Sequence, residues 1–278
     1  MGIKKKILKF MNLFRTPKVI TIPSIVRSEK ILEDKTAFIT GGSGGIGMAI
    51  AKKMLSAGAN VIISGTNENK LQTCVQNIGF PKDKLKYIVL NMNDVSSFKD
   101  KIYEANEMFH TPISILVNSA GIIAKHSFFE ITEDEFDDVF NVNVKGPFFI
   151  CQIIADLFIN NHIEGKILNL SSSSALRPAW GPYQMSKWAI RGFTTGLADL
   201  LIPYHIVVNA IAPGPTATAM LGKEDSEDIS LVTSPIERFI TPEEIAELAL
   251  VLVSDLGNIV VGDTLYATGG SGVITLHK

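Results

Sequence analysis

Thr36-Ala-Phe-Ile-Thr-Gly-Gly-Ser-Gly-Gly-Ile-Gly47, running on into Met48-Ala-Ile-Ala-Lys-Lys-Met-Leu55, decides how this chain is read. Ala37, Phe38 and Ile39 form an apolar run that reads as a buried strand, and the glycines from Gly41 to Gly47 break it sharply. Ile46, Ile50 and Met54 then recur at helical spacing, Gly58 ends the helix, and Val61-Ile-Ile63 supplies a second strand. The result is one βαβ unit of about thirty residues. Glycines between strand and helix let the backbone approach a pyrophosphate closely, and the N–H groups and dipole of the new helix hold its negative charge. Gly42, Gly44 and Gly47 fit G-x-G-x-x-G, and Thr40, Gly41, Gly45 and Gly47 fit T-G-x-x-x-G-x-G. Either register, placed between a strand and a helix, is a dinucleotide-binding fingerprint.

The 278 residues suit one large α/β domain, and 46% hydrophobic residues are enough for a substantial core. A formal net charge of −2 gives no electrostatic reason to expect nucleic acid as a partner. Cys74 and Cys151 are too few for a disulfide framework and read as buried thiols of a reducing compartment, here taken as the cytoplasm. The histidines show no close pairing, so no metal site is expected. No apolar run reaches the roughly eighteen residues a membrane span needs.

Residues 1–32 read as an arm ahead of a single domain at 33–278. In the arm, Lys4, Lys5, Lys6 and Lys9 interleave with Ile3, Ile7, Leu8, Phe10, Met11, Leu13 and Phe14. Residues 3–14 are then either a basic amphipathic helix on an anionic membrane surface or an arm packed on protein. Pro17 and Pro23 stop any helix.

Strands and helices alternate from Glu33 onward. Lys86–Leu90 reads as a third strand ending in Asn91-Met92, and Ile113–Val117 as a fourth ending in Asn118-Ser119-Ala120-Gly121. A long apolar helix from Phe136 to Phe149 contains Asn143, a residue that disfavours helix interiors and needs partners when buried. Gly165–Leu170 is a fifth strand running into Ser171–Ser174, and beyond it Tyr183 and Lys187 share one helix face. Asn209-Ala-Ile-Ala-Pro-Gly-Pro-Thr-Ala-Thr218 closes a sixth strand. Thr241-Pro-Glu-Glu244 starts a last helix, followed by a strand around Thr264–Ala267.

Over residues 33–272 this series resembles the short-chain dehydrogenase/reductase family: T-G-x-x-x-G-x-G, then an N-S-A-G turn, a serine cluster and Tyr-x-x-x-Lys in order. The resemblance implies a single-domain Rossmann fold, a doubly wound parallel sheet flanked by helices. It also implies hydride transfer between NAD or NADP and a carbonyl or secondary alcohol, by a homodimer or homotetramer. Carried over by motif, Tyr183 is the acid–base, Lys187 its partner and ribose ligand, Ser172 the substrate-orienting hydroxyl and Asn143 the holder of a relay water. The same carry-over gives cofactor contacts at Gly41, Ser43, Gly45, Ile46, Gly47 and Thr66, and adenine contacts at Asn91 and Met92. Asn118, Ala120 and Gly121 pass beside the cofactor, with Pro213, Gly214 and Thr218 at the nicotinamide. A free phenol titrates near ~10, so the Lys187 ammonium is expected to draw Tyr183 downward. Trp188, Ile190, Phe193 and Leu197 would give the pairing helix apolar surface, some of them facing the sheet, and residues 219–240 would form a lid.

Two departures stand out. The segment from Ser172 to Tyr183 is shorter than is usual in the family, which leaves Ser171 as a competitor for the serine role. At the second strand end, Gly65 stands where NAD-preferring relatives have an acid and Thr66 where many NADP-preferring ones have Arg. The missing carboxylate tilts the expectation to NADP. A nucleotide-binding module without turnover, or a peripheral membrane protein acting through its arm, are the competing readings.

Overall fold

The computed structural model describes residues 30–81, 83–223 and 228–274. The basic arm at residues 3–14 lies outside the described residues. Leu32 is already fully buried in the core, and its N–H donates to the Ala57 carbonyl at 2.9 Å. The packed domain therefore reaches back across the expected boundary at residue 33.

The first half runs β1 (Thr36–Thr40), α1 (Gly45–Ser56), β2 (Asn60–Gly65), α2 (Glu68–Asn77), β3 (Leu85–Val89), α3 (Phe98–Asn106) and β4 (Ile113–Asn118). The second runs α4 (Glu133–Phe140), α5 (Gly146–Asn160), β5 (Lys166–Leu170), α6 (Pro182–Leu201), β6 (Val207–Pro213), α7 (Pro242–Val253) and β7 (Thr264–Ala267). All neighbouring strands pair in parallel, in the order β3-β2-β1-β4-β5-β6-β7. This is the expected doubly wound sheet, and the order reverses between β1 and β4, where a ligand crevice opens at the strand ends.

Strand alternation splits the core into two layers. Ala37 and Ile39 face one side, with Ile50 and Met54 of α1, Leu71 of α2 and Ile245 and Leu252 of α7. Phe38 faces the other, with Phe98 and Ile102 of α3, Ile154 and Phe158 of α5 and Leu201 of α6. Ile190 and Leu197 belong to the buried face of α6. As expected, some of the four residues read as pairing surface face the sheet; Trp188 is exposed, and Phe193 is half-buried, its ring 5.4 Å from that of Phe148 on α5.

The expected long helix after β4 is one continuous element with a wide turn inside it. Asn141–Lys145 is π-helical, between α4 and α5. The run Glu133–Asn160 is long and apolar enough by composition to cross a membrane, but half of its most apolar window is buried within the domain. α5 is the core helix of the second layer. Thr241 caps α7 by a reciprocal box, its hydroxyl accepting from Glu244 N–H at 3.2 Å while the Glu244 carboxylate accepts from Thr241 N–H at 2.9 Å.

At the centre of the sheet, the fully buried Thr40 hydroxyl accepts the N–H groups of both Ser119 and Ala120 at 3.1 Å. Thr40→Val keeps the shape and orphans two donors, at about 1–3 kcal/mol each. Urea unfolding should show a loss of at least ~2 kcal/mol for Thr40→Val and most of it restored in Thr40→Ser. A valine variant as stable as the parent would show that the tie carries no weight.

Candidate active site

The glycine loop is shaped by contacts that admit no side chain. Gly41 has φ +64°, and a Cβ there would lie 2.8 Å from the Ala120 Cα. A Cβ on Gly47 would lie 2.4 Å from the Gly41 carbonyl oxygen. Gly45, φ +51°, sits under Thr218, whose methyl would be 3.3 Å from an added Cβ. The loop thus lies flat between β4's end and the β6 loop, with the first-turn N–H groups of α1 left free of helix carbonyls. Such a cradle fits a dinucleotide pyrophosphate, and the chain's own residues fit a nicotinamide cofactor.

A cavity of about 460 Å³ runs from this loop to β5, β6 and α6. Gly41, Gly45, Ile46, Gly47, Ala120, Gly121, Pro213, Gly214 and Thr218 line it, together with Ser172, Tyr183 and Lys187. The strand end and the helix behind them are laced together. Lys187 Nζ donates to the Leu170 carbonyl at 2.9 Å, and Ser171 Oγ donates to the Lys187 carbonyl at 3.0 Å. With its proton spent on that carbonyl, Ser171 is a brace of the backbone. Ser172 instead accepts from Ser174 N–H at 3.1 Å and acts on the Tyr183 phenol through a hydrogen bond that pulls its pKa down.

Asn143 is buried in the π turn with protein partners at both ends of its amide. Oδ1 accepts from Ile122 N–H at 2.9 Å, and Nδ2 donates to the Ile122 carbonyl at 2.9 Å and to Ser186 Oγ at 3.1 Å. Ser186 in turn donates to the Tyr183 carbonyl at 2.7 Å. Asn143 therefore ties the loop after β4 to the first turn of the Tyr183 helix. An inserted π residue re-aims side chains in this way, and such turns recur at functional sites.

Electrostatics here run against one expectation. Tyr183 is raised above the usual tyrosine value, because burial of the phenolate outweighs the Ser172 hydrogen bond. The ammonium does not reverse it: Lys187 is itself wholly buried, and desolvation lowers it from 10.5 to about 8. Lys187 Nζ stands 5.6 Å from the Tyr183 ring centroid. In the protein alone, burial governs both groups, and the phenol holds its proton at neutral pH.

Other expected cofactor residues turn their side chains elsewhere. Asn118 donates from Nδ2 to Asn169 Oδ1 at 2.9 Å and to Cys151 Sγ at 3.2 Å, and its own Oδ1 is buried without a partner. Asn169 passes the chain on to Thr194 of α6 at 3.0 Å, so these side chains form a strut between sheet and helix. Met92 is buried against Gly146, and Asn91 accepts from Asn93 N–H at 3.0 Å in a local turn. Ser43 and exposed Thr66 flank the β2 end, where a Cβ on Gly65 would be 3.3 Å from Ser43 Oγ. Sequence reading missed Arg177 and Ile123, which also line the cavity, as do Met220 and Leu221 of the segment expected to form a lid. An Arg within the short segment between the serine cluster and Tyr183 was the available signal.

The segment expected to form a lid is tied down at its base. Ile240 N–H donates to the Pro215 carbonyl and Ala217 N–H to the Ile240 carbonyl, both at 2.9 Å. Gly214 passes so close to Thr268 that a Cβ would lie 2.5 Å from its carbonyl oxygen. Thr268 Oγ1 accepts from Gly270 N–H at 3.2 Å, holding the turn beyond β7.

The family model of short chain dehydrogenases matches residues 35–229. An L-xylulose reductase of Caenorhabditis elegans is 35% identical over 85% of this chain and 95% of its own length. An L-rhamnose 1-dehydrogenase (NADP(+)) of Thermoplasma acidophilum is 34% identical over 85% of this chain and 95% of its own. Among solved structures, a 3-ketoacyl-(acyl-carrier-protein) reductase from Brucella melitensis complexed with NADH superposes with TM-score 0.78, at 29% identity, covering 87% of this chain and 100% of that one. Both coenzymes thus occur among the relatives. With the glycine cradle and the Ser, Tyr and Lys groups converging on one cavity, the chain belongs to the short-chain dehydrogenase/reductase family and is an NAD(P)-dependent oxidoreductase.

Proposed function

We propose that Tyr183 is the proton donor and acceptor of this oxidoreductase, acting on a ketone or secondary alcohol held by Ser172, with NADP the preferred coenzyme. The observation that carries the reading is the convergence of Ser172, Tyr183 and Lys187 on the cavity that the glycine loop opens. Bound nicotinamide supplies or takes the hydride. Tyr183, protonated at neutral pH, gives its proton to the carbonyl oxygen as negative charge develops there. Ser172 orients that oxygen by a hydrogen bond, an electrostatic role of the oxyanion-hole kind. Lys187 is the group to meet the ribose hydroxyls, and Asn143 is a positioning residue, fixing the Gly121–Ile122 turn against the Tyr183 helix.

The coenzyme preference rests on the end of β2. Gly65 presents no carboxylate to repel a 2′-phosphate, and Lys70, on the first turn of α2, lines the cavity and offers a charge to it. Asn67 caps that helix through Oδ1, accepting from Lys70 N–H at 2.9 Å, which fixes where the lysine starts.

Tyr183→Phe should keep coenzyme affinity and lose turnover by about a hundredfold or more, since general acid catalysis is worth roughly 10²–10⁴. Turnover within a few-fold of the parent, on a panel of ketones followed by nicotinamide absorbance, would overturn the assignment.

Lys187→Met should separate stability from function. The folded state lowers the lysine from 10.5 to about 8, so folding works against a buried charge by roughly 3 kcal/mol at neutral pH. Because the unfolded chain binds the proton more tightly, parent stability rises with pH between about 8 and 10.5 and gains nothing further above that window. Allowing for the lost bond to the Leu170 carbonyl, urea unfolding of the coenzyme-free variant at pH 7 should show a gain of ~1–2 kcal/mol that vanishes by the top of the window. A loss of stability at pH 7 would contradict the cost assigned to the charge.

Gly65→Asp places a carboxylate at the β2 end with only the rotatable Ser43 hydroxyl to displace. The ratio of kcat/KM for NADPH over NADH should fall at least ~tenfold, about 1.4 kcal/mol. A parent that already favours NADH by that factor would refute the NADP preference.

A further inference from the structure

Past Ser172 the chain makes one 3₁₀ turn, Ser173–Leu176, and delivers Arg177 to the same cavity. The backbone at that point is fastened from both sides. Arg177 N–H donates to the Ser174 carbonyl at 3.3 Å, and its own carbonyl accepts from Trp188 Nε1 at 3.0 Å. Arg191 adds a clamp, donating from Nη1 to the Ala175 carbonyl at 3.4 Å. The side chain lies across Gly272, where a Cβ would stand 2.9 Å from Nε, on a residue whose φ of +81° already favours glycine. A guanidinium is thus brought to the cavity over bare backbone.

Arg177 is exposed to solvent. Among the described residues Arg177 makes no ion pair and no side-chain hydrogen bond, whereas Arg238, the arginine of the lid base, is paired with Glu244 at 2.6 Å. The cavity it lines also has an apolar part. Ile123, Met220 and Leu221 line the cavity while remaining 37%, 44% and 46% exposed. Lys70, the other cation here that the catalytic group does not claim, stands on α2 beyond the glycine loop, on the coenzyme side.

We infer that Arg177 anchors an oxyanion carried by the substrate, and that the substrate class is an amphipathic oxo acid: a ketone whose apolar body rests on Ile123, Met220 and Leu221 and whose carboxylate or phosphate meets the guanidinium. The inference rests on the carbonyl chemistry proposed for the same cavity. A planar fork of five donors matches such an anion in two parallel hydrogen bonds, which an ammonium does not reproduce. At about 2 Å of rise per residue, the 3₁₀ turn sets the Arg177 backbone roughly 10 Å from that of Ser172, so the anion belongs several bonds from the reacting carbonyl.

The test compares 7-oxooctanoate with its methyl ester, and with 6-oxoheptyl phosphate to tell the two oxyanions apart, in the parent, Arg177→Met and Arg177→Lys. The parent should favour at least one of the anions over the ester by about tenfold in kcat/KM, mainly through KM. Arg177→Met should collapse that ratio, Arg177→Lys should restore part of it, and added salt should narrow it. Thermal unfolding of the NADPH-loaded protein gives a second readout, because an anion that binds raises Tm without any turnover. An Arg177-dependent rise in Tm with no turnover upholds the anchor and counts against the carbonyl reading. Turnover with a ratio unchanged in Arg177→Met, or a parent indifferent to the charge, overturns the anchor and leaves the carbonyl reading standing.

Discussion

The functional edge of this protein hangs on a single hydroxyl that two strands share. Thr40 ends β1 and, from inside the core, accepts two successive N–H groups of the turn that leaves β4. The sheet order reverses between these strands, and the tie adds to the Thr40–Asn118 pairing at the end of their ladder. The tie closes the floor of the crevice. It also brings Ala120 so close to Gly41 that only a residue without Cβ fits. The glycines are thus required twice over, by the space a cofactor needs and by the packing that forms the floor.

From that floor a relay of buried polar groups carries order outward to the reacting groups. Asn118 bonds to Asn169 and Asn169 to Thr194, joining β4, β5 and α6 across the interior. Asn143, Ser186 and the Tyr183 carbonyl form a second chain along the mouth of the site. Each link offsets the desolvation of its members, and one atom, Asn118 Oδ1, is left over. Lys187 is the exception in kind, a whole charge buried behind one carbonyl. Packing alone would favour an apolar residue there, so its presence is a cost to folding that chemistry explains.

Much of this was legible in the sequence, and the parts that were not share a cause. Strand and helix positions followed from apolar periodicity and glycine breaks, because a parallel sheet buried on both faces leaves long apolar runs. The groups at the catalytic end were readable through the family resemblance, whose motifs stand in order along the chain, with Tyr183 and Lys187 one helical turn apart. Side chains whose direction depends on a tertiary neighbour were not. Asn118 and Met92 sit in motif positions yet turn into the core, and Ile190 and Leu197 face the sheet where Trp188 and Phe193 do not. The raised Tyr183 was unreadable for the same reason: spacing puts a lysine within reach, but the outcome depends on how much water both groups lose.

The same division separates what the fold determines from what this chain adds. The glycine cradle and the laced Ser-Tyr-Lys end can serve any nicotinamide-dependent carbonyl reaction, and relatives with different named substrates are about a third identical to this chain. Discrimination must come from groups that the scaffold leaves unconstrained. Two such groups stand at opposite ends of one cavity, Lys70 beyond the glycine loop and Arg177 beyond the serine turn. Each is a cation brought to the cavity by a fixed backbone, the first by the Asn67 cap and the second by the Trp188 clamp. The catalytic end between them offers hydroxyls and a buried amine, which act on the reacting atoms and carry little information about the rest of a ligand. On the two readings proposed above, charge at the two ends, set by short segments outside the motif residues, is what tells one coenzyme, and one substrate, from another.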